Sequence, residues 1–562
     1  MSSLQTRTNT GFLDADAARS LVLVLDSNAT SRSIVISMLR EAGFTSIRQA
    51  ARASDGIAML AIEAYDLVVC DSLFETEGLT GGQVLARIRR EMLLPITSVV
   101  MLLSSAATHT QVLEAAELAA DSVLLKPFAS RTLLGHLCEA RARKRALSDI
   151  YAAIELGEAA QAIALCLESV AHRCPYWLNA ARVGAELLMQ QDRTHEAREL
   201  YDAISQVKAV PWARLGLIRT HFAEGSLPKA KKAALALLAE DAENADAHAV
   251  LGRVHLESGS LGQALEAYSN ALELTPQCPL RSQITGSLSF YSDRPTEALA
   301  LLDRSWTMSR GTHLLDVLSL VQSTYLRFEA RQTAALRSSV EVLHQYSRDH
   351  PNSFRLRHFC MIGSVLLDLS YGRSRDAVER SQAVHRPVME PGFDFEAGLN
   401  TLALLIRLLP FHLPEASLEA VTRSVARRFA SKSAVPFLHA VVGKHAAASQ
   451  WISEECDAIS RLSEKGVDLS MNGRPMEAVE FLITNGDAIR NARLIELAGH
   501  LIRRHRSAHP ELSAVAGRVG HLKRRYGSLA APVAGLRRSI DSSGGLLLRP
   551  REAAAGTPAP VQ

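Results

Sequence analysis

The chain predicts two folds in series: an α/β doubly wound, five-stranded parallel sheet, then an all-α solenoid of helical repeats. Three observations carry this. Five short β-rich runs alternate with amphipathic stretches up to about residue 140. Strand signals stop after Phe128, and helix follows helix to about residue 530. Within that helical part an alanine recurs about every 34 residues, a period typical of helix–turn–helix repeats.

Strands are predicted near 21–25, 46–49, 67–70, 98–103 and 122–125, and helices near 29–42, 53–63, 82–91, 109–119 and from 130 onward. Strands that are apolar throughout, with helices between them, belong to a parallel sheet covered on both faces. The helix carrying Leu133, Leu137 and Cys138 is expected to run through Arg141–Arg145 into the next unit without a flexible linker. The boundaries drawn are a flexible N-terminus at 1–18, the α/β unit at 19–140, regular repeats at 141–310 and degenerate repeats at 311–530. The tail at 531–562 is rich in Gly, Ala and Pro and is expected to be disordered.

The alanine ladder is Ala162, Ala197, Ala230, Ala264 and Ala298, with spacings of 35, 33, 34 and 34. Gly157, Gly225 and Gly259 each precede a ladder alanine by five residues. The clearest copy runs from Ala247 to Pro276. Leu251, Gly252 and His255 share one face of a first helix, Gly259 marks the turn, and Ala264, Tyr268 and Ala271 line the second. Small residues at 252 and 264 let two helices approach closely, and Tyr268 fills the space between repeats. This pattern resembles the tetratricopeptide repeat family, with His255 in place of the usual aromatic and His248 in place of the usual Trp. Tyr201 keeps the aromatic of the second helix, whereas Ala234 and Leu302 replace it. Beyond residue 310 the period blurs, with Gly372/Ala377 and Gly473/Ala478 as isolated copies. A generic helical bundle is the plain alternative.

Composition narrows the function classes. At 562 residues the chain needs several cores, and 47% apolar with 22% charged residues describes an ordinary globular protein. A net charge of +3 gives no global field that favours nucleic acid or a membrane. Met1–Ala18 lacks the basic-then-apolar order of a signal peptide, and the apolar run Leu402–Leu409 is broken by Arg407. Seven scattered cysteines without a CxxC pair fit buried thiols in a reducing compartment, so a cytoplasmic protein with no membrane contact is expected. No GxxxxGK[ST], GxGxxG or HExxH motif occurs, and enzymatic turnover of a metabolite is not expected. His505 and His509 have metal-compatible spacing but lie among Arg503, Arg504 and Arg506, which favours a solvated basic face. Arg518, Lys523, Arg524 and Arg525, with Arg537 and Arg538, could meet phosphates. No recognition helix surrounds them, so nucleic acid is an unlikely partner.

Polar residues end four of the predicted strands: Asp26, Asp71, Ser104 and Lys126. Ligands of open α/β sheets bind at that carboxyl edge. Two carboxylates, a hydroxyl and an ammonium converging there suit a divalent cation and a phosphoryl group. The motifs Val24–Arg32, Asp66–Asp71, Leu103–Ala106 and Lys126–Phe128 resemble the receiver domain of two-component response regulators, over about residues 19–140. That resemblance implies a flavodoxin-like fold with Asp71 as phosphoacceptor. It makes Asp26, Asp71 and the backbone carbonyl of Leu73 the Mg²⁺ ligands, with Ser104 and Lys126 binding the phosphoryl group. The Lys126–Pro127 bond is often cis in this family. The implied partner is a bacterial histidine kinase or phosphotransfer protein.

The sequence departs from that family at two positions. Ser27 stands where the family carries a second adjacent acid, which removes a negative charge and weakens Mg²⁺ binding. Glu75, where the family often has Pro, could restore some charge. Val123 replaces the usual aromatic three residues before the lysine, so a signal would travel through loop and helix shifts. The expected function is a response-regulator adaptor in a phosphorelay, its solenoid binding a protein partner. The alternatives are a constitutive scaffold with a degenerate receiver and, last, a nucleic-acid-linked regulator using the basic C-terminal region.

Overall fold

A computed structural model of the chain describes residues 16–74, 79–104, 120–207, 210–309, 317–390, 392–443 and 445–527. Glu75, the predicted helix at 109–119, Arg537, Arg538 and the tail at 531–562 lie outside the described residues.

The first unit contains β1 (Leu21–Leu25), α1 (Ala29–Glu41), β2 (Ser46–Ala50), α2 (Ala53–Ile62) and β3 (Leu67–Asp71). It continues with β4 (Leu73–Phe74), β5 (Leu79–Thr80), α3 (Gly81–Arg90), β6 (Val99–Ser104), β7 (Ser122–Leu125) and α4 (Ser130–Ala146). The main sheet is parallel, in the order β2-β1-β3-β6-β7. Alternate residues explain the unbroken apolar runs. Val22, Val24, Val69 and Met101 pack on one side with Leu39 and Leu133, while Leu23, Leu25, Val68 and Cys70 pack on the other with Ile57 and Val84. Each predicted strand is present within a residue or two. The antiparallel β4–β5 pair is an addition, and at two residues per strand it carries no periodicity to read.

A single junction residue, Leu147, separates α4 from α5 (Ser148–Glu155). The helical array continues with α6 (Ala159–Ala171), α7 (Trp177–Gln190), α8 (Thr194–Val207), α9 (Pro211–Ala223), α10 (Leu227–Glu240), α11 (Ala245–Glu257) and α12 (Leu261–Leu274). Next come α13 (Pro279–Tyr291), α14 (Pro295–Ser309), α15 (Val317–Glu329), α16 (Thr333–Asp349), α17 (Phe354–Ser370) and α18 (Ser374–His385). The described helices end with α19 (Phe395–Leu408), α20 (Glu415–Phe429), α21 (Val435–Val442), α22 (Ala446–Met471), α23 (Pro475–Ala488), α24 (Ala492–His505) and α25 (Ser513–Gly527).

The five ladder alanines, Ala162 to Ala298, are all fully buried. A Cβ on Gly252 would stand 2.7 Å from the Tyr268 ring, so the close approach of α11 and α12 requires the missing side chain. The turns explain both the regular and the blurred parts of the period. Gly157, Gly225 and Gly259 have left-handed φ values, and Asp192 and Asp293 hold the same turn position in the two copies without glycine. Arg331 and Gly372 continue the series at spacings of 38 and 41. The 41-residue step contains two 17-residue helices, α16 and α17, and their added residues stretch the period without ending it.

The two units are joined by buried charge. Lys144 Nζ lies 3.0 Å from Asp121 Oδ1 and donates to the Ile96 carbonyl at 2.6 Å. The Ile96 N–H donates to Glu155 Oε1 on α5 at 2.7 Å, and the Ile96 side chain packs into the core of the first repeats. The start of the solenoid is therefore fixed to the amino edge of β6 and β7, as expected for a junction without a flexible linker.

Candidate functional site at the carboxyl edge of the sheet

Asp26 follows β1 and Asp71 ends β3, the two strands between which the chain order of the sheet reverses. Ser104 ends β6, and Lys126 follows β7. Lys126 Nζ lies 3.0 Å from Asp26 Oδ2 and 3.0 Å from Asp71 Oδ2, so one ammonium bridges both carboxylates. Ser104 is buried, and its carbonyl accepts the Lys126 N–H at 2.7 Å. The Lys126–Pro127 peptide is cis.

Asp26 is the more tightly held acid. Its Oδ1 accepts the Asn28 N–H at 2.8 Å, and its Oδ2 accepts the Ser31 hydroxyl at 2.6 Å in addition to Lys126. Arg32 donates to the Asp26 carbonyl at 2.6 Å. The first turn of α1 supplies Ser31, and that helix is capped by the Asn28 side chain, which accepts the Ser31 N–H at 3.0 Å. Asp71 accepts the Ser72 N–H at 2.7 Å and Lys126 Nζ at 3.0 Å, and it is the more open of the two acids.

Burial opposes ionisation at all three charged groups, with different outcomes. At Asp26 the hydrogen bonds from Ser31, Lys126 and the Asn28 N–H overcome burial and hold the carboxyl below the usual range. At Asp71 burial prevails, reinforced by the Asp26 charge, and its pKa rises despite Lys126. At Lys126 the two carboxylates outweigh burial and raise the ammonium's pKa. The result is a cluster of two carboxylates on one ammonium whose most readily protonated carboxylate is Asp71.

Ser31 and Arg32 carry structural roles that were not legible in the sequence, where a hydroxyl five residues after the acid has no distinctive spacing. Gly81 is a third such residue. A Cβ there would stand 2.1 Å from the Asp71 carbonyl oxygen, and the Gly81 N–H donates to the Ser72 carbonyl at 2.9 Å. Glycine at 81 thus lets α3 begin directly beneath the loop that presents Asp71. Val123 is partly buried on the α2–α3 side of the sheet.

The position of Lys126 tests the site for a metal ion. A cation already sits within hydrogen-bonding distance of an oxygen from each carboxylate, so the two acids converge on one positively charged point. That donor set fits a hard divalent cation. Its capacity is limited, because Ser27 brings no charge and both Asp26 oxygens have other partners. Asp26 and Asp71, two of the Mg²⁺ ligands expected from the sequence, meet here at Lys126 Nζ. Elsewhere, His505 Nε2 lies 2.9 Å from Ser470 Oγ and His509 Nδ1 lies 3.0 Å from Glu511 Oε1. Among the described residues no group of three or more His, Cys, Asp or Glu side chains forms a metal cage. Arg518 pairs with Glu480 at 3.2 Å, while Lys523, Arg524 and Arg525 are exposed on α25.

Residues 22–137 match the response regulator receiver domain, and residues 188–254 match the tetratricopeptide repeat. The chain is 30% identical over 112 residues to a chemotaxis protein CheY of Pseudomonas aeruginosa, covering 20% of this chain and 88% of that protein. It is 31% identical over 112 residues to a chemotaxis protein CheY-3 of Vibrio cholerae, covering 20% of this chain and 84% of the relative. A tetratricopeptide repeat protein of known structure from Parabacteroides merdae is 12% identical, covers 49% of this chain and 98% of its own, and gives a TM-score of 0.32. The chain belongs to the response regulator receiver family through its first unit, and it carries tetratricopeptide repeats after it. The receiver places it in phosphorelay signalling, and the repeats make it a protein-interaction module. Neither family is enzymatic, and receivers typically bind Mg²⁺ at the phosphorylation site. Among the described residues no helix is long and apolar enough to cross a membrane.

Proposed function

We propose that the chain is a response-regulator adaptor: a histidine kinase or phosphotransfer protein phosphorylates Asp71, and the receiver then alters which protein the solenoid holds. The observation that carries this reading is the Lys126 ammonium bridging Asp71 and Asp26. It marks a point where added negative charge meets a fixed cation. In the transfer, an Asp71 carboxylate oxygen forms a P–O bond as the N–P bond of a phosphohistidine breaks, and the electron pair leaves with the imidazole. Lys126 then pairs with a phosphoryl oxygen, and the Ser104 hydroxyl donates to another. Bound Mg²⁺ would offset the charge on the transferring group.

The route outward runs along β7. Lys126 follows one end of that strand, and Asp121 precedes the other, where Lys144 and Arg143 hold it against α4 and the start of the solenoid. A displacement of Lys126 toward a phosphoryl group is carried by this four-residue strand to the junction, and no large side chain at Val123 is needed. The cytoplasm, where sensor kinases present their phosphohistidines, is the compartment this reading requires.

A second reading, a constitutive scaffold, is favoured by Ser27 and by the full engagement of Asp26. Affinity capture on the full chain, with and without beryllofluoride and Mg²⁺, separates the two. A partner whose retention changes with beryllofluoride on wild type but not on Asp71→Asn supports the adaptor. Identical capture in every condition leaves the scaffold.

A further inference from the structure

Three oxygens surround the Lys126 ammonium, and one of them comes from a helix. Asp26 Oδ2 lies 3.0 Å from Nζ, Asp71 Oδ2 3.0 Å and Ser31 Oγ 2.9 Å. An ammonium has three N–H donors, and each has one of these oxygens to meet. The Ser31 hydroxyl has a single proton, which it donates to Asp26 Oδ2 at 2.6 Å. Ser31 therefore gives its proton to the carboxylate and turns a lone pair toward the cation.

The first turn of α1 is fixed for this role. The Ser31 N–H donates to the Asn28 side chain that caps the helix, at 3.0 Å. The next residue, Arg32, donates to the Asp26 carbonyl at 2.6 Å and through Nε to Gln49 Oε1 on β2 at 3.0 Å. Ser31 is thus tied to the same stretch of backbone that carries Asp26. A hydroxyl that only masked this acid need only donate to it. The Ser31 oxygen also accepts from the cation, which is what a hydroxyl does when it ligates a metal ion and keeps its proton on a neighbouring acceptor. Hydroxyls hold Mg²⁺ in this way at other phosphoryl-transfer sites. Charge points in the same direction: two carboxylates share one ammonium, and a divalent cation in the same place balances both.

We propose that Ser31 is a metal-site residue of this receiver. Its hydroxyl and the Asp26 and Asp71 carboxylates form one three-oxygen cradle that holds a single cation at a time, the Lys126 ammonium or Mg²⁺. The first turn of α1 thereby supplies an oxygen to a site in which Ser27 supplies no charge. Lys126 competes for the cradle as well as serving a phosphoryl group, and it leaves the first role when it takes up the second. This rests on the reading of the sheet edge as a phosphoryl site and adds to it a ligand and an exchange of cations.

Titration calorimetry of Mg²⁺ into the full chain, with no phosphodonor present, tests it. Each variant is measured alone and again with Ser27→Asp, so that a tighter site is also read. Ser31→Ala is expected to weaken Mg²⁺ binding by roughly tenfold, the scale of losing one group from a metal site. Ser31→Cys, nearly isosteric but without the hard oxygen, should show the same loss and serves if the alanine variant does not fold. Lys126→Met should tighten binding by at least roughly tenfold, because it removes the competing charge. Unchanged or tighter binding in the Ser31 variants would overturn the proposal, since the hydroxyl would then only mask Asp26. Unchanged or weaker binding in Lys126→Met excludes a shared cradle, and so does the absence of Mg²⁺ binding in both wild type and Ser27→Asp. With no phosphoryl group in the experiment, each of these results is separate from whether Asp71 is phosphorylated.

Discussion

The Ser31 hydroxyl donates to the Asp26 carboxylate at 2.6 Å and also lies 2.9 Å from the Lys126 ammonium, so a helix side chain completes the charge cluster from outside the four strand ends. Removing it leaves a fully buried carboxylate with one donor fewer. Ser31→Ala is expected to destabilise the receiver by about 2 kcal/mol, the usual worth of a hydrogen bond to a buried charge. Thermal unfolding followed at neutral pH measures it. In the same background, Ser27→Asp restores a carboxylate beside Asp26 and Asp71. It is expected to tighten Mg²⁺ binding by at least about tenfold, as titration calorimetry would record.

Lys144 and Asp121 form the second decisive pair. Both side chains are at most 10% exposed, and Lys144 also holds the Ile96 carbonyl. Lys144→Met leaves the Asp121 charge without its 3.0 Å partner and facing Arg143 at 3.8 Å. A loss of about 3 kcal/mol in unfolding free energy is expected, typical of breaking a buried ion pair on one side. Asp121→Asn in the same chain removes the stranded charge and should recover part of that loss. If the double variant is no better than the single one, the pair does not hold the junction.

Much of this was legible in the sequence. The apolar runs of β1, β3 and β6 had to be buried on both faces, and the alternation of Val22, Leu23, Val24 and Leu25 between two cores bears that out, whereas β2, Ser46–Ala50, is a largely exposed edge strand. The alanine ladder marked the repeat contacts because only small residues fit there. What stayed illegible lacked periodicity or depended on distant partners. The Ser31 contact forms across the turn into α1, the β4–β5 pair is too short to show a pattern, and Gly81 is explained only by its approach to the Asp71 carbonyl. A Cβ on Gly259 would stand 2.7 Å from the Lys432 carbonyl oxygen, and no local signal announces that these distant segments of the solenoid meet.

Gly252 and Gly262 differ in a way that checks the repeat packing. An added methyl at Gly252 would meet the Tyr268 ring at 2.7 Å, whereas nothing lies within 4 Å of one at Gly262. Gly252→Ala is expected to destabilise by about 1–3 kcal/mol through overpacking. Gly262→Ala, inside α12, is expected to be neutral or to stabilise by about 0.5–1 kcal/mol. Equal effects of the two substitutions in chemical denaturation would mean that the α11–α12 contact is looser than described.

His358 predicts an acid-sensitive step. Burial lowers its pKa from 6.5 to about 4, and its Nε2 lies 3.0 Å from Thr401 Oγ1. The unfolded chain takes up a proton near pH 6.5 that the folded chain refuses until about pH 4. This contribution is therefore fully present above 6.5 and is lost as pH falls toward 4, by roughly 3 kcal/mol in all. Melting temperature measured across that window should fall with pH in wild type and fall less steeply in His358→Asn.

Phosphoryl transfer to Asp71 is the measurement that bears most directly on the receiver. The full chain is incubated with Mg²⁺ and a small-molecule phosphodonor, and the peptide spanning Asp66–Leu73 is analysed by mass spectrometry after borohydride trapping. The expected result is modification at Asp71 in wild type, faster in Ser27→Asp and absent in Asp71→Asn. Failure of both wild type and Ser27→Asp to take up the phosphoryl group would contradict Asp71 as the acceptor.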